Sequence, residues 1–132
     1  MSGIYFVARN AMLIGQLDVV TEPIMLQLVG FPFTYNETDT DLSVISGRIG
    51  TAMPVTVTEV TAGEVRCEDV LFPSVPDGST AIGLLTYRAG VDDAGSMVIG
   101  FADRRADGVP LAPLAGTGGD LNFTFVDYLL KI

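Results

Sequence analysis

The sequence predicts a mainly β fold, an antiparallel β-sandwich or jelly roll of about seven or eight strands with one short N-terminal helix. The 132 residues fit one domain, 1–132, and 48% of them are hydrophobic, enough to bury a core without a disulfide or a metal. Fifteen glycines and seven prolines are scattered as turn residues rather than gathered in one linker. Short apolar or alternating runs lie between these turn residues, as expected of short strands.

One helix is expected near the start, within an N-terminal helix or arm over residues 1–17. Four apolar residues share one face at the helical period: Ile4, Val7, Ala8 and Ala11. Gly15 can end the helix in the left-handed conformation. A helix this short is not stable alone. We therefore expect the segment to dock onto its own domain or onto a neighbour.

The first strand is expected over residues 24–29, where nearly every residue is apolar. Such a run is typical of a strand buried inside a sheet. Residues 30–33 break the strand, and a polar, acidic loop follows over residues 35–41. Residues 42–45 are expected to form one irregular turn.

Two hairpins are expected in the middle of the chain. Residues 55–58 and 65–68 alternate around the turn at Ala62-Gly63, which predicts the first hairpin. Residues 82–87 and 97–102 are apolar runs separated by a glycine- and aspartate-rich tip, which predicts the second.

The C-terminal part is expected to contain a long loop and a final strand. The loop covers residues 103–119, with a short extended edge piece at 109–114. Apolar and polar residues alternate over 121–125 and again over 128–132. A bulge near residues 126–127 would explain the shift in register between the two runs.

Composition excludes several classes of function. A net charge of −9 without a cluster of bases argues against nucleic acid and against a membrane surface as partner. The chain has no histidine, which removes serine–histidine and cysteine–histidine nucleophiles and the usual zinc, copper and non-haem iron sites. The single cysteine, Cys67, is expected to be a small buried hydrophobe. We therefore expect no enzyme activity, no cofactor and no metal.

Two weaker patterns favour ordinary loops. Glu37, Asp39 and Asp41 alternate and could ligate calcium through oxygen, but no glutamate closes a helix–loop–helix calcium site at the required offset. The glycine-rich residues 116–119 lack the lysine of a phosphate loop and precede a strand.

No export signal or spanning segment is visible, so we expect a soluble protein that is not secreted.

Two aromatic-rich segments are candidate contact elements. One is the N-terminal segment, and the other is the exit of the first strand. Rigid aromatic side chains in loops are common at protein interfaces, although the same residues could cap the core. The predicted contact residues are Ile4, Tyr5, Phe6, Phe31, Phe33 and Tyr35.

Seven segments, taken in order, carry a resemblance to a known family: residues 14–18, 21–29, 41–42, 63–72, 81–87, 119–125 and 129–132. This order of strands and turns resembles small structural proteins of tailed-phage virions, which decorate or cement the capsid as jelly-roll-like β-sandwiches. The tryptophan usual in the last strand of that family is absent here. Phe125 or Tyr128 would fill its place.

The resemblance implies a virion protein that is made in the host cytoplasm, binds the outer capsid surface and reinforces contacts of the major capsid protein. It implies no catalytic group. The high apolar fraction favours a homo-oligomer, a dimer or trimer, and many copies on a lattice would gain strength through avidity. Two alternatives remain: a tail, baseplate or fibre component, and a carbohydrate-binding β-sandwich that uses the aromatic cluster after the first strand.

Overall fold

The computed structural model describes residues 3–104, 114–125 and 128–131. In these residues the chain is mainly β with one α-helix, α1 (Phe6–Leu13), and a 3₁₀ helix (Leu42–Val44), and every strand pair is antiparallel. The predicted fold class is confirmed at this level. The described strands are β1 (Gly3–Ile4), β2 (Ile24–Val29), β3 (Arg48–Pro54), β4 (Val57–Thr61), β5 (Glu64–Cys67), β6 (Val70–Phe72), β7 (Thr80–Ala81), β8 (Gly83–Arg88), β9 (Met97–Ala102), β10 (Leu114–Ala115), β11 (Leu121–Phe123) and β12 (Leu130–Lys131).

The described strands are more numerous and shorter than predicted. Twelve are present in the described residues, and four of them have only two residues. Hydrogen bonding divides them into one five-stranded, one three-stranded and two two-stranded sheets that are not closed on one another. The sequence prediction misses β3, because Gly50 and Pro54 interrupt its pattern.

The five-stranded sheet has the order β1-β9-β8-β2-β3, so β2 has a neighbour on each side, as predicted. Successive side chains of a strand point to opposite faces. Leu28 packs in one buried cluster and Val29 in another, so both faces of this sheet are covered. Burial on both faces explains why β2 is almost wholly apolar.

The strands of the C-terminal part pair with strands from the middle of the chain. The strands β12, β11 and β10 pair in turn with β5, β6 and β7, so three strands near the C-terminal end run antiparallel beside three earlier ones. The sequence prediction places one bulged strand here, but β11 and β12 pair with different strands. The predicted bulge at residues 126–127 and most of the predicted edge piece, residues 109–113, lie outside the described residues.

The helix α1 begins at Phe6, later than predicted. Ile4 lies in β1 opposite Gly100, and the Tyr5 N–H donates to the Ile99 carbonyl at 3.0 Å. Ile4 therefore belongs to the sheet edge, because its backbone pairs with β9. Gly15 follows the helix with φ +73°, as predicted. No helix among the described residues is long and apolar enough to cross a membrane.

A buried glutamine joins β2 to β3 across a bulge. The side-chain amide of Gln27 donates to the carbonyls of Ile49 at 2.7 Å and Gly50 at 3.2 Å. The register between β2 and β3 shifts at this point. A polar side chain is therefore accommodated in an apolar strand, because it hydrogen-bonds to carbonyls that the bulge removes from the ladder.

Replacing Thr86 by valine is expected to raise the free energy of unfolding by about 1 kcal/mol. Thr86 is 2% exposed on β8, and its hydroxyl has no hydrogen-bond partner among the described residues. Valine keeps the shape and removes the unpaired hydroxyl. Urea unfolding measures the change, and Gln27→Leu is the control, expected to lose about 1–3 kcal/mol because its amide is paired. A loss of stability in Thr86→Val would contradict this prediction.

Candidate functional site

A tight turn after β2 presents Phe31 to solvent. The Gly30 N–H donates to the Gly47 carbonyl at 2.8 Å, and the Phe33 N–H donates to the Gly30 carbonyl at 2.7 Å. The Phe31–Pro32 peptide bond is cis. Phe31 itself is 94% exposed, although its turn is closed by one internal hydrogen bond and joined to Gly47 by another. The ring is thus an aromatic group on a well-supported turn.

Phe33 and Tyr35, which follow this turn, point back into the protein. The Phe33 ring lies 4.8 Å from that of Phe101, and the Tyr35 ring stacks on Phe101 at 5.9 Å. The Tyr35 hydroxyl donates to the Ile4 carbonyl at 3.2 Å. Phe33 is buried and Tyr35 is half-buried, so this part of the loop covers one face of the central sheet.

The N-terminal segment divides in the same way. Ile4 and Tyr5 are buried, whereas Phe6 is 44% exposed at the start of α1. Ile4, Tyr5 and Phe33 belong to the buried core of the described chain, whereas Phe6, Phe31 and part of Tyr35 are accessible. Contact with a partner stays a prediction for all six residues.

The structure adds exposed apolar side chains that the sequence prediction does not single out. Leu13 is 79% exposed and lies seven residues after Phe6, on the same face of α1. Ile14 and Val20 are also exposed. The chain that follows α1 passes the end of the sheet where β2 begins, because the Gln16 carbonyl accepts from Arg88, which pairs with Ile24. The Phe31 turn follows the other end of β2, a six-residue strand about 20 Å long.

The acidic loop, residues 35–41, is hydrogen-bonded to the start of α1 and to the edge of β9. The Phe6 N–H donates to the Glu37 carbonyl at 2.9 Å, and the Val98 N–H donates to the Thr40 carbonyl at 3.3 Å. The loop is thereby fixed between α1 and the sheet. Glu37 is exposed at its surface and Asp39 is half-buried.

The carboxylates of this loop have different environments. Asp41 accepts hydrogen bonds from the Ser43 hydroxyl and N–H and from the Thr40 hydroxyl, and these lower the pKa of Asp41. Burial, and then the charge of Asp41, raises the pKa of Asp39. Among the described residues, no three acids or cysteines are placed to hold a metal ion.

The thiol of Cys67 lies half-buried on β5. Burial, with a smaller contribution from the charge of Asp69, raises the pKa of Cys67 from 9.0 to about 12. The neutral thiol is therefore the stable form in the folded protein at neutral pH.

At pH 8, iodoacetamide is expected to alkylate Cys67 at least about ten times more slowly in the folded protein than in urea, because the thiolate is the reactive form and burial raises the pKa of Cys67 from 9.0 to about 12. Mass spectrometry against time measures both rates. Because folding raises the pKa of Cys67, the neutral thiol contributes to the free energy of unfolding below pH 9. That contribution is lost as the pH rises towards 12. Equal rates in the two conditions would contradict the assignment.

No protein-family model matches the sequence, and neither a curated protein nor a solved structure is significantly similar to the chain. Function is therefore argued from the residues and their geometry.

Proposed function

We propose that this protein decorates the outer surface of a phage capsid and reinforces contacts between copies of the major capsid protein. In this proposal the antiparallel sheets pack as a jelly-roll-like β-sandwich, as in the virion proteins that the sequence resembles. The protein works by adhesion, and the lack of histidine in the sequence is compatible with a role that needs no catalytic group. It acts on the virion after synthesis in the host cytoplasm.

The observation that carries the proposal is the exposed Phe31 ring on its fixed turn. A large aromatic side chain exposed to water on a backbone that is already ordered loses little conformational freedom on binding. Aromatic anchors of this kind supply much of the binding energy of interfaces. Phe31 is therefore the side chain we expect to enter an apolar pocket on the capsid.

The apolar side chains at the opposite end of β2 support a homo-oligomer, a dimer or trimer. Leu13, Ile14 and Val20 are each more than half exposed. Contacts between copies at that end would leave the Phe31 turn free to face the shell. Several anchors in one oligomer would bind a repeating lattice with avidity.

Mixing the purified protein with capsids that lack it tests the proposal. We expect on the order of hundreds of copies per shell and a higher temperature of capsid disruption. Phe31→Ser is expected to weaken binding about thirty-fold, as for an interface anchor. Val91→Ser is the matched control, because Val91 is fully exposed on the tip of the β8–β9 hairpin and is expected to change binding less than about two-fold.

Two outcomes would overturn the proposal. One is the absence of any binding to the shell. The other is binding of only a few copies at one vertex or on the tail, which would favour the tail, baseplate or fibre alternative. A loss of binding in Val91→Ser equal to that in Phe31→Ser would remove Phe31 from the proposal.

A further inference from the structure

We infer that the open edge of β4 binds an extended segment of a partner protein in which apolar and basic residues alternate, and that this segment joins the sheet as an antiparallel strand. β4 lies at the end of the three-stranded sheet β12-β5-β4 and pairs with β5 alone among the described strands. The inference goes beyond the proposed function and does not rest on it, because the Phe31 turn follows a strand of a different sheet.

The backbone of Val60 points its polar groups away from β5. The turn at Ala62-Gly63 has positive φ at both residues, as in a two-residue hairpin whose flanking residues form a hydrogen-bonded pair. The next pair, Val60 and Val65, is therefore a non-hydrogen-bonded pair of the β4–β5 ladder. The Val65 carbonyl agrees with this, because it accepts from the Leu129 N–H on the β12 side at 2.8 Å. The N–H and carbonyl of Val60 thus face the open edge, where a further strand can pair with them.

The face of β4 that carries Val60 is only half covered. Val65, directly opposite on β5, is 2% exposed in the core, whereas Val60 is 45% exposed. Opposite residues of an antiparallel pair lie on the same face. The two valines differ in exposure because β5 has a described strand on each side and β4 has one. An apolar side chain of an added strand, placed opposite Val60, would cover the remainder.

The other face of β4 selects the charge of the partner. Glu59 precedes Val60 and therefore lies on the opposite face, where its side chain is 59% exposed. The Arg66 guanidinium lies 3.9 Å from the Glu59 carboxylate and contacts the Glu64 carboxylate more closely, at 2.9 Å. Two carboxylates thus share this guanidinium beside the open edge. A basic side chain of the added strand would pair with Glu59, because opposite charges on neighbouring strands attract.

The same charges argue against a second copy of the chain as the occupant. Two β4 strands paired antiparallel about a two-fold axis would bring the Glu59 side chains of both copies to one face of the joined sheet, and each copy carries a net charge of −9. Like charges on neighbouring strands are destabilising. A segment in which an apolar residue alternates with lysine or arginine suits both faces of β4. We expect it to run antiparallel, as every described strand pair does.

An NMR titration of the isotope-labelled protein with a peptide of about seven residues, in which valine and lysine alternate, tests the inference. In an antiparallel strand whose valines cover Val60, the valine N–H groups face β4 and the lysine N–H groups face away. We expect the peptide with N-methylated lysines to shift the Val60 amide signal. The peptide with N-methylated valines, and a peptide of alternating valine and glutamate, are each expected to bind at least about ten times more weakly.

Variants of the protein locate the binding surface. Val60→Lys places a charge on the open apolar edge and is expected to raise the Kd at least about ten-fold. Val91→Lys makes the same exchange at a fully exposed residue of the β8–β9 hairpin and is expected to change the Kd less than about two-fold. Glu59→Gln is expected to raise the Kd about three-fold, and Glu68→Gln, at an exposed acid after β5, less than about 1.5-fold. Circular dichroism checks that each variant is folded.

Four results would overturn the inference. Equal binding of the two N-methylated peptides would show that the backbone of β4 is not used. Equal binding of the glutamate peptide would remove the selection by charge. Equal weakening by Val60→Lys and Val91→Lys would place the peptide elsewhere on the protein. A Val60 amide signal that shifts with protein concentration alone would assign the edge to a second copy of the chain.

Discussion

Replacing Phe33 by alanine is expected to lower the free energy of unfolding by about 3–5 kcal/mol. The Phe33 side chain is 7% exposed and its ring packs 4.8 Å from that of Phe101. Its removal would leave a cavity between the loop and the central sheet, because Val29 and Ile45 of the same buried cluster are held by their own backbones. Urea unfolding followed by circular dichroism measures the loss.

The matched control is two residues away. Phe31→Ala removes the same ring from the same turn, but Phe31 is 94% exposed, so the expected change is within about 0.5 kcal/mol. Comparable losses in the two variants would show that the Phe31 ring is packed in solution. That result would also remove the main support for Phe31 as a contact residue.

Replacing Gly47 by alanine is expected to lower the free energy of unfolding by at least about 3 kcal/mol. Two effects add at this position. Gly47 has φ +74°, a conformation that residues with a side chain rarely adopt. A Cβ here would also overlap the Gly30 carbonyl oxygen and press on the Phe33 N–H. The turn that presents Phe31 cannot move away from this Cβ easily, because the Gly30 N–H donates to the Gly47 carbonyl and holds the turn against Gly47.

Gly15→Ala separates the two effects. Gly15 has φ +73°, but nothing lies within 4 Å of the position a Cβ would take. Only the conformational cost remains, about 1 kcal/mol. Thermal or urea unfolding of both variants gives the cost of the overlap as the difference. Equal losses at the two glycines would contradict the close approach of Gly47 to Gly30.

Elements with a strong local pattern were predictable from the sequence. The strand β2 has the predicted bounds, because its unbroken apolar run reflects burial on both faces. The β4–β5 hairpin was predictable from the turn at Ala62-Gly63, where both residues have positive φ. The short strands β7 and β10 carry no such signal, because two residues have no period and their partner lies far along the chain.

The exposure of the predicted contact residues was only partly predictable, because the direction of a side chain depends on tertiary structure. Tyr5 and Phe6 are neighbours with similar hydrophobicity, yet one is buried and the other exposed. The backbone changes from the extended conformation of β1 to the helix α1 at this point, and this change determines which of the two side chains is buried. The apolar pattern of the sequence favours one continuous helix instead. Phe6 and Leu13, seven residues apart, lie on one face of α1, but an apolar pair at this spacing ordinarily faces the core, so the sequence does not indicate that this face is exposed.

The pairing of β5, β6 and β7 with β12, β11 and β10 has a consequence for biosynthesis. The core beneath the central sheet contains Phe123 and Leu130 from the later segment beside Val65 and Phe72 from the earlier one. A nascent chain emerging from the ribosome therefore cannot finish this core until the later segment has been translated. Contacts so distant along the chain form slowly, and the earlier strands stay open to wrong partners meanwhile. We therefore expect chaperone demand during overexpression to fall once β10, β11 and β12 have emerged.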